Sequence, residues 1–361
     1  METGCDFEKF LEQNIFTEKY IDDYNIKNNN KVVISSRIRL ARNLENFPFP
    51  ENCCEEELEN VLQTVLLVTK YENKKSRNNF KRMFPYFFLL KNLKKENYEQ
   101  LKNLHLITDR MAYDKNSTAV FINNEKNLSL MVNEEDHFRL QYLLPGLQFE
   151  KIWDVLNKFD DYLSGLVPFA FDKQFGFVTT SLANVGTGLR CSAMMHLIGI
   201  SLTGKMESVT KAAEKLSMTI RGCYGEGSEN HGHLFQISNK GSLGESEEQI
   251  IKRCQKFIDI LLDYEINARN QLLVEDKIVL VDKIARAYGV LQNCYSLSKK
   301  ECFELLSLLR LGSACNMFTK ITINDVDLLF NAAISLKSAD NEKIVNVVRA
   351  ELVADLIKNL K

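Results

Sequence analysis

Four short islands of the sequence combine arginine, carboxylate or glycine between apolar, strand-like segments. In the first, residues 35–42, the alternation of side chains along an extended chain would place Arg37 and Arg39 on the same side. Two guanidinium groups placed in this way can converge on one polyphosphate, because each offers a planar fork of donors. A solvated edge or helix face has the same composition, so this island alone indicates a phosphate site only weakly.

The second island, residues 133–139, groups three acids beside basic residues at the end of an apolar run. Glu134, Glu135 and Asp136 would repel one another unless cations lie among them. A bound guanidinium or Mg²⁺ would supply those cations. A solvated turn in which Arg139 pairs locally is the alternative.

Two glycine-bearing islands follow. Residues 184–190 would let backbone amides approach a ligand, and we expect Arg190 to begin an apolar helical run. This segment lacks the Gly-Lys-Ser/Thr ending of a P-loop, and an ordinary glycine turn is the alternative. Residues 221–230 join Arg221 to a glycine-rich, acid-bearing segment that is typical of a lid loop. Asn230 at the third glycine position disfavours a dinucleotide fingerprint.

Short strands must position these islands. Aromatic and β-branched content with partial alternation predicts strands at residues 31–34, 119–123, 128–132, 175–180 and 234–238. Residues 123–127 predict a hairpin loop between two of them. Ser246 and Gln249 form a capping-box signature ahead of a helix whose apolar residues share one face.

Beyond about residue 265 the pattern becomes helical. No proline occurs after Pro168, which suits a helical C-terminal domain. The spacing of Ile344, Val348, Leu352 and Leu356 predicts one apolar helical stripe there.

Composition bounds the class of protein. The 361 residues carry a formal net charge of -2, which gives no reason to expect a nucleic-acid or membrane partner. The acidic N-terminus lacks a signal-peptide pattern and no run approaches 18 apolar residues, so we expect a cytoplasmic protein. The 9 cysteines are scattered without a CxxC pair, so we expect mostly buried, reduced thiols and no protein-built metal site.

In order and approximate spacing, SSRIRLARN, NEEDHFRL, NVGTGLR and RGCYGEGSE resemble the guanidino-kinase, or phosphagen kinase, family of ATP:guanidino phosphotransferases. The resemblance covers residues 31–251 and implies ATP with Mg²⁺ as cofactors. It implies an α+β catalytic domain, residues 1–264, with an antiparallel sheet flanked by helices. A helical C-terminal domain, residues 265–361, would follow.

Carried over residue by residue, the resemblance implies two sets of site residues. Catalysis would use Glu135, Glu226, Arg190 and Arg221. The nucleotide would be bound by Ser35, Ser36, Arg37, Ile38, Arg39, His105, Arg139, Arg190, Cys191, Ser192, Ala193, Met194, Arg221, Gly222, Cys223, Tyr224, Gly225 and Glu226. Glu135 and Glu226 would orient the substrate guanidinium and accept its proton, because a protonated guanidinium is a poor nucleophile. The arginines would neutralise the transferring phosphoryl group. Without the resemblance, His105 between leucines would be interpreted as a core residue.

Features of both ends resemble the bacterial protein-arginine kinases of this family. The 34 residues before Ser35 are too few for the helical N-terminal domain of the metabolite kinases, while the helical segment after residue 265 extends the other end. RIRLAR, and GEGSE followed by FQISN, are similar to the protein-arginine kinases as well. The implied function is transfer of the ATP γ-phosphoryl group to arginine side chains of proteins, as a stress-response mark for protein quality control. Implied partners are protein substrates with exposed arginines, a zinc-binding activator protein, a Clp unfoldase, a heat-shock repressor and a second copy of the chain. A kinase for free arginine or another small guanidino compound is the alternative, and a binding protein without catalysis is a third reading.

Two positions depart from the family pattern. Ser181 replaces the family's active-site cysteine, which puts full catalytic efficiency in doubt. The RDxxRA phosphoarginine motif of the protein-arginine kinases reads Val345 to Ala350 here, and Val345 and Asn346 replace the leading Arg-Asp pair. We therefore expect Arg349 to serve packing and phosphoarginine to activate the protein weakly or not at all.

Overall fold

The computed structural model describes residues 32–71, 80–111, 117–224, 230–336 and 341–360. Among these residues the chain divides into two compact units. Unit 1 comprises residues 35–192 and 239–255, and unit 2 comprises residues 32–34, 193–238 and 256 onward. The predicted domain boundary after residue 264 lies within a continuous helix, Glu247–Glu275. That boundary stays a prediction.

The described residues form ten strands, which carry the four islands. They are β1 (Val33–Arg42), β2 (Tyr86–Leu89), β3 (Ala119–Ile122), β4 (Leu128–Val132), β5 (Phe138–Pro145), β6 (Phe171–Asp172), β7 (Gly176–Phe177), β8 (Leu189–His196), β9 (Met218–Tyr224) and β10 (Asn230–Asn239). In unit 1 the main sheet has the order β2-β3-β4-β5-β1-β8, and in unit 2 the order is β8-β10-β9. The pairs β2–β3, β3–β4, β4–β5 and β1–β5 are antiparallel.

Helices account for most of the rest of the described chain. They are α1 (Glu55–Tyr71), α2 (Phe80–Met83), α3 (Lys95–Asn103), α4 (Phe149–Ser164), α5 (Ile198–Leu202), α6 (Met206–Lys215), α7 (Glu247–Glu275), α8 (Lys277–Asn293), α9 (Lys299–Ala314), α10 (Ile323–Ser335) and α11 (Glu342–Asn359). The predicted class, an α+β fold with an antiparallel sheet and a helical C-terminal region, is confirmed. Within the described ranges, no helix has the length and hydropathy needed to cross a bilayer.

Two of the five predicted strands are confirmed almost residue for residue. They are β3 and β4, whose hairpin loop is closed by the Asn123 side chain, since Asn123 Oδ1 accepts the amides of Asn127 and Leu128 at 3.0 Å. A third prediction, residues 234–238, lies within β10. Of residues 175–180 only Gly176–Phe177 form a strand, and β1 begins at Val33 and continues through the first island.

The predicted helix start at Ser246 is confirmed by reciprocal capping. The Ser246 amide donates to Gln249 Oε1 at 2.8 Å, and the Gln249 amide donates to Ser246 Oγ at 3.3 Å. The predicted apolar face of α7 is buried, with Ile250, Cys254 and Ile258 fully inaccessible. Capping and burial together define where this helix begins and which face it presents to the core.

The predicted stripe on the last helix is wrong by one position. Ile344 and Val348 are exposed at 58% and 44%, whereas Val345, Val353 and Ile357 are buried in α11. Arg349 shares the buried face, and its NH1 donates to Leu297 O at 2.9 Å and to Asn346 Oδ1 at 2.7 Å. A buried arginine whose polar end reaches backbone oxygen can occupy a core face, so apolar spacing alone indicated the wrong stripe.

Candidate active site

Strand β1 presents the arginines of the first island on one face. Ser36, Ile38 and Leu40 are fully buried, while Arg37 and Arg39 between them keep partial access to solvent. This alternation confirms the prediction that the two arginines share a side. The pairing of β1 with β5 sets Ala41 opposite Arg139 and therefore brings a third guanidinium to this region of unit 1.

Three further guanidinium groups lie near Arg39. Desolvation, followed by the positive charges of Arg37, Arg139 and Arg190, lowers the pKa of Arg39 well below its usual range. Arg39 Nε is a buried donor with no hydrogen-bond partner among the described residues. The Glu134 carboxylate offsets part of this repulsion, and a polyphosphate would supply further negative charge and acceptors. The cluster of Arg37, Arg39, Arg139 and Arg190, here named the arginine cluster, is therefore a candidate anion site.

Strand β8 contributes Arg190 by the same alternation. Arg190 is partly accessible, whereas Cys191 and Ala193 on either side of Ser192 are buried in the core. The Asn239 side chain fixes the start of the strand, because its Oδ1 accepts the Cys191 amide at 2.8 Å and its Nδ2 donates to Leu189 O at 3.1 Å. The helix predicted to begin at Arg190 is therefore wrong.

Two features of the first and third islands are structural. Arg42 pairs with Asp160 at 2.7 Å and lies 3.6 Å from the centre of the Phe177 ring, so it is not part of the arginine cluster. Gly188 has a φ of +65° and lies so close to β1 that an added Cβ would meet Ala41 O at 2.5 Å. At Gly188 a close approach of two backbone segments therefore explains the glycine, as the alternative of an ordinary glycine turn would have it.

The acidic second island is a tight turn between β4 and β5, and the chain itself supplies cations and donors to it. Glu134 accepts from Arg139 NH1 at 2.7 Å and from Thr108 Oγ1 at 2.5 Å. Burial raises the pKa of Glu134, but the Arg139 charge and these hydrogen bonds outweigh burial and leave that pKa below its usual value. Asp136 accepts from Asn43 Nδ2 at 2.7 Å and from the Thr180 amide at 2.8 Å.

Glu135 lies beside a cavity and differs from its two neighbours because its side chain is 16% accessible, whereas Glu134 and Asp136 are buried. The cavity has a volume of about 270 Å³, and its lining includes Glu51, Arg110, Glu134 and Glu135. Glu135 Oε1 lies 2.5 Å from Arg110 NH1, and Oε2 lies 4.0 Å from Arg139 NH1 of the arginine cluster. One carboxylate at the edge of the arginine cluster is thus directed toward a space that a ligand can enter.

The remaining predicted site residues fall into three groups: core-facing residues of β1, the exposed residue His105, and residues that lie in unit 2 or outside the described chain. Ser36 and Ile38 face the core, and Ser36 Oγ accepts the Gln148 amide at 2.9 Å. In unit 1, His105 has a φ of +58° and keeps an exposed edge, although desolvation and the Arg37 charge lower its pKa below the usual value. The third group lies in unit 2 or in the undescribed part of the chain.

In that third group, Ala193 and Met194 belong to β8, and Arg221, Gly222, Cys223 and Tyr224 belong to β9, with the Arg221 side chain exposed. The proposal that Arg221 joins the arginine cluster stays a prediction. Gly225 and Glu226 lie outside the described residues, as does Cys5 among the cysteines. Of the 8 described cysteines, three are buried, four are intermediate and Cys54 is exposed, so the expectation of mostly buried thiols is only partly met.

Sequence reasoning missed Thr108 and Arg110, which both contact the acidic turn. They lie in the connection between α3 and β3, where no periodicity or motif marks a function. Only the fold brings them to Glu134 and Glu135. Ser181 is half-buried, and its backbone oxygen accepts from Thr179 Oγ1 at 2.9 Å.

His137, at the end of the acidic turn, should make stability depend on pH. Its Nδ1 accepts the Leu44 amide at 3.1 Å. Burial lowers the pKa of His137 to about 4, although a hydrogen bond to the Pro48 backbone acts in the opposite direction. The folded state therefore takes up the proton less readily than the unfolded state, whose histidine pKa is about 6.5. The stability that the neutral His137 contributes is fully present above about pH 6.5 and is lost as the pH falls toward 4.

We expect this one histidine to remove about 2.5 kcal/mol of unfolding free energy between pH 7.5 and pH 4.5. Urea unfolding of the wild type and of His137→Asn at both pH values measures it, since Asn Oδ1 retains an acceptor for the Leu44 amide. The variant should lose less stability than the wild type on acidification. Equal losses would show that His137 does not titrate as proposed.

Two family models match different parts of the chain. Residues 67–268 match the family model described as ATP:guanido phosphotransferase, C-terminal catalytic domain. Residues 277–360 match the model described as Protein-arginine kinase McsB C-terminal domain. Together the two models cover most of the described chain.

Curated relatives are similar over nearly the whole length. The chain is 35% identical over 331 residues to a protein-arginine kinase of Halothermothrix orenii, covering 89% of this chain and 92% of the relative. It is 40% identical over 291 residues to that of Geobacillus thermodenitrificans, covering 78% and 76%.

Solved structures share the fold. A lombricine kinase crystal structure has a TM-score of 0.57 at 20% identity, covering 70% of this chain and 72% of that one. A duplicated taurocyamine kinase from Schistosoma mansoni has a TM-score of 0.57 at 24% identity, covering 71% of this chain and 36% of that longer one.

Proposed function

The chain belongs to the ATP:guanido phosphotransferase family, and from that premise we propose that it transfers the γ-phosphoryl group of ATP to arginine side chains of proteins. The observation that carries the chemistry is the arginine cluster beside Glu135. The C-terminal match to the protein-arginine kinase model and the near full-length relatives favour a protein substrate. Division into a catalytic domain, residues 1–264, and a helical domain, residues 265–361, is part of this proposal.

The arginine cluster would bind the phosphates of ATP. Arg39 and Arg190 reach the same region from neighbouring strands, so their guanidinium groups can stabilise charge on the transferring phosphoryl group from fixed positions. Arg221 would add a further cation, and Ser35 and His105 would contact the nucleotide, as the resemblance implies. The buried side chains of Ile38, Cys191 and Ala193 leave only their backbone atoms available for such contacts.

Glu135 would act on the substrate guanidinium. It orients one nitrogen and accepts its proton as that nitrogen attacks the γ-phosphorus. The N–P bond forms while the bond from phosphorus to the β-phosphate oxygen breaks, so ADP leaves with that electron pair. Glu226 would be the second carboxylate on the guanidinium.

Mg²⁺ fits this site as part of the nucleotide complex. Within the described ranges no group of three ligating side chains could hold a metal ion, and Glu134 and Asp136 already accept hydrogen bonds from the chain. Mg²⁺ commonly keeps several waters and binds through substrate phosphates with one or two carboxylates. The ATP phosphates would therefore be its main ligands, with the acidic turn nearby, and the bound ion would neutralise phosphate charge.

Cellular role and partners are part of the proposal by resemblance. We infer a cytoplasmic enzyme of stress response and protein quality control, with a zinc-binding activator protein, a Clp unfoldase and a heat-shock repressor among its partners and with a second copy as a possible dimer. Protein-arginine kinases as relatives support protein substrates, and the finer assignments follow from the family resemblance alone.

We expect an unfolded arginine-bearing protein to be phosphorylated with a higher kcat/KM per arginine than free L-arginine. A protein substrate can use remote contacts to bind and orient its guanidinium, and a free amino acid lacks them. Acid-labile phosphoarginine is measured after incubation with MgATP, with Glu135→Gln as the inactive control. Faster phosphorylation of free arginine at equal concentration would favour the small-molecule alternative, and no phosphoarginine from either would favour a binding protein.

A further inference from the structure

An arginine of the chain itself occupies the carboxylate that the proposed function assigns to the substrate. Arg110 NH1 lies 2.5 Å from Glu135 Oε1, whereas the nearest approach of Arg139 to Glu135 is 4.0 Å. Arg110 thus presents to the Glu135 carboxylate the same chemical group as a substrate arginine would. The contact lies within unit 1 and does not involve the C-terminal helices.

The two partners of this ion pair are held very differently. The Glu135 amide donates to Glu134 Oε2 at 2.8 Å, and its carbonyl accepts from Thr180 Oγ1 at 2.8 Å. Its side chain is 16% accessible, and that of Arg110 is 60% accessible. The backbone of Glu135 is therefore fixed and its side chain largely buried, while the Arg110 side chain can leave with little cost in burial.

The space beside this ion pair would allow a substrate arginine to take the place of Arg110 at Glu135. The cavity of about 270 Å³ has Glu51, Leu58 and Glu135 among its lining residues. Acidic and apolar lining matches the charged end and the methylene stem of an arginine side chain. A substrate arginine entering this cavity would meet Arg110 at Glu135.

We propose that Arg110 is an intramolecular competitor of the substrate guanidinium. It pairs with Glu135 in the free enzyme and moves away when an arginine side chain of a substrate binds. Arg110 thus raises the concentration of any arginine substrate that is needed to occupy the carboxylate, because binding must first displace Arg110. The inference rests on the proposed function, since it assumes that Glu135 binds the substrate guanidinium.

The expected size of the effect follows from the exposure of the pair. Because the Arg110 side chain is 60% accessible, the pair resembles a surface ion pair, which favours the paired state of Arg110 and Glu135 by about 1.5- to 5-fold. Removal of Arg110 should therefore lower the apparent KM for an arginine-bearing protein by about two- to sixfold. Because a saturating substrate displaces a competitor, kcat should stay the same, as should the KM for ATP.

Initial rates of phosphoarginine formation on an unfolded arginine-bearing protein test this, for the wild type, Arg110→Ala and Arg110→Lys at saturating MgATP. The lysine variant retains a cation without the planar fork, so its KM should lie between the other two. Lys158→Ala is the matched control, because Lys158 is 66% accessible and pairs with Asp154 in α4 at 3.2 Å. Its KM should equal that of the wild type.

The outcomes separate this inference from the proposed function. A raised KM or a lowered kcat in Arg110→Ala, with an unchanged melting temperature, would show that Arg110 assists the substrate, and an unchanged KM would show that it does not compete. Phosphoarginine at position 110 in wild-type protein incubated with MgATP would make Arg110 a substrate and also overturn the inference. If the wild type and all variants lack arginine phosphorylation with any guanidine, the proposed function itself fails.

Discussion

Replacement of Arg190 by alanine is expected to lower kcat for arginine phosphorylation by about 10²- to 10³-fold. Arg190 projects from β8 into the arginine cluster, and its charge is one of the three that lower the pKa of Arg39. Removing it takes away a fixed donor for the charge that develops on the transferring phosphoryl group. Arg221→Ala, the corresponding change in β9, is expected to act in the same direction.

The fold should survive the Arg190 change. Arg190 is partly accessible, and the neighbouring core residues Cys191 and Ala193 are unchanged in the variant. Thermal unfolding of the variant should therefore match that of the wild type. Arg286→Ala is the control, since Arg286 is 77% accessible and pairs with Asp282 on α8. A wild-type kcat in Arg190→Ala would remove the arginine cluster from the mechanism.

Glu135→Gln is expected to lower kcat by about 10²- to 10⁴-fold, because the amide cannot accept the guanidinium proton. ATP affinity should change little, since the Glu135 side chain faces the cavity beside the arginine cluster. The backbone hydrogen bonds that fix Glu135 do not involve its carboxylate, so the turn should keep its shape. Glu226→Gln, at the second predicted carboxylate, should have the same effect.

Steady-state rates and nucleotide binding by calorimetry measure the two parts of this prediction separately. Glu150→Gln is a matched control, because Glu150 is an exposed carboxylate of unit 1 on α4. It should leave both quantities unchanged. Weaker ATP binding with a normal kcat at saturation would assign Glu135 to the nucleotide and not to the guanidinium.

Much of the candidate site could be predicted because strand alternation is a local property. The shared face of Arg37 and Arg39 follows from the two-residue period of β1, and the turn after β4 follows from the polar residues that end an apolar run. The arginine that pairs with Glu135 of that turn could not be predicted in the same way. Arg110 and Glu135 meet only through the packing of unit 1, which no local pattern of residues encodes.

The failures on β8 and α11 have a related cause. The short apolar run after Arg190 suits a strand or a buried helix equally, and only its place beside β1 makes it a strand. On α11, a search for apolar spacing passed over Arg349, whose buried guanidinium donates to Leu297 O. On β8 tertiary contacts decided between a strand and a helix, and on α11 they decided which of two adjacent stripes is buried.

The alternation along β8 also constrains how this gene can change over generations. Arg190 and Ser192 share one face of the strand, while Cys191 and Ala193 fill the core on the other. Loss or gain of a single codon within the strand would exchange the two faces, burying a guanidinium and moving a cysteine toward the arginine cluster. Substitutions can therefore accumulate one face at a time in β8, but length variation is confined to connections such as the loop at residues 123–127. Descendants of this gene should differ in the lengths of their loops and share the length of this strand.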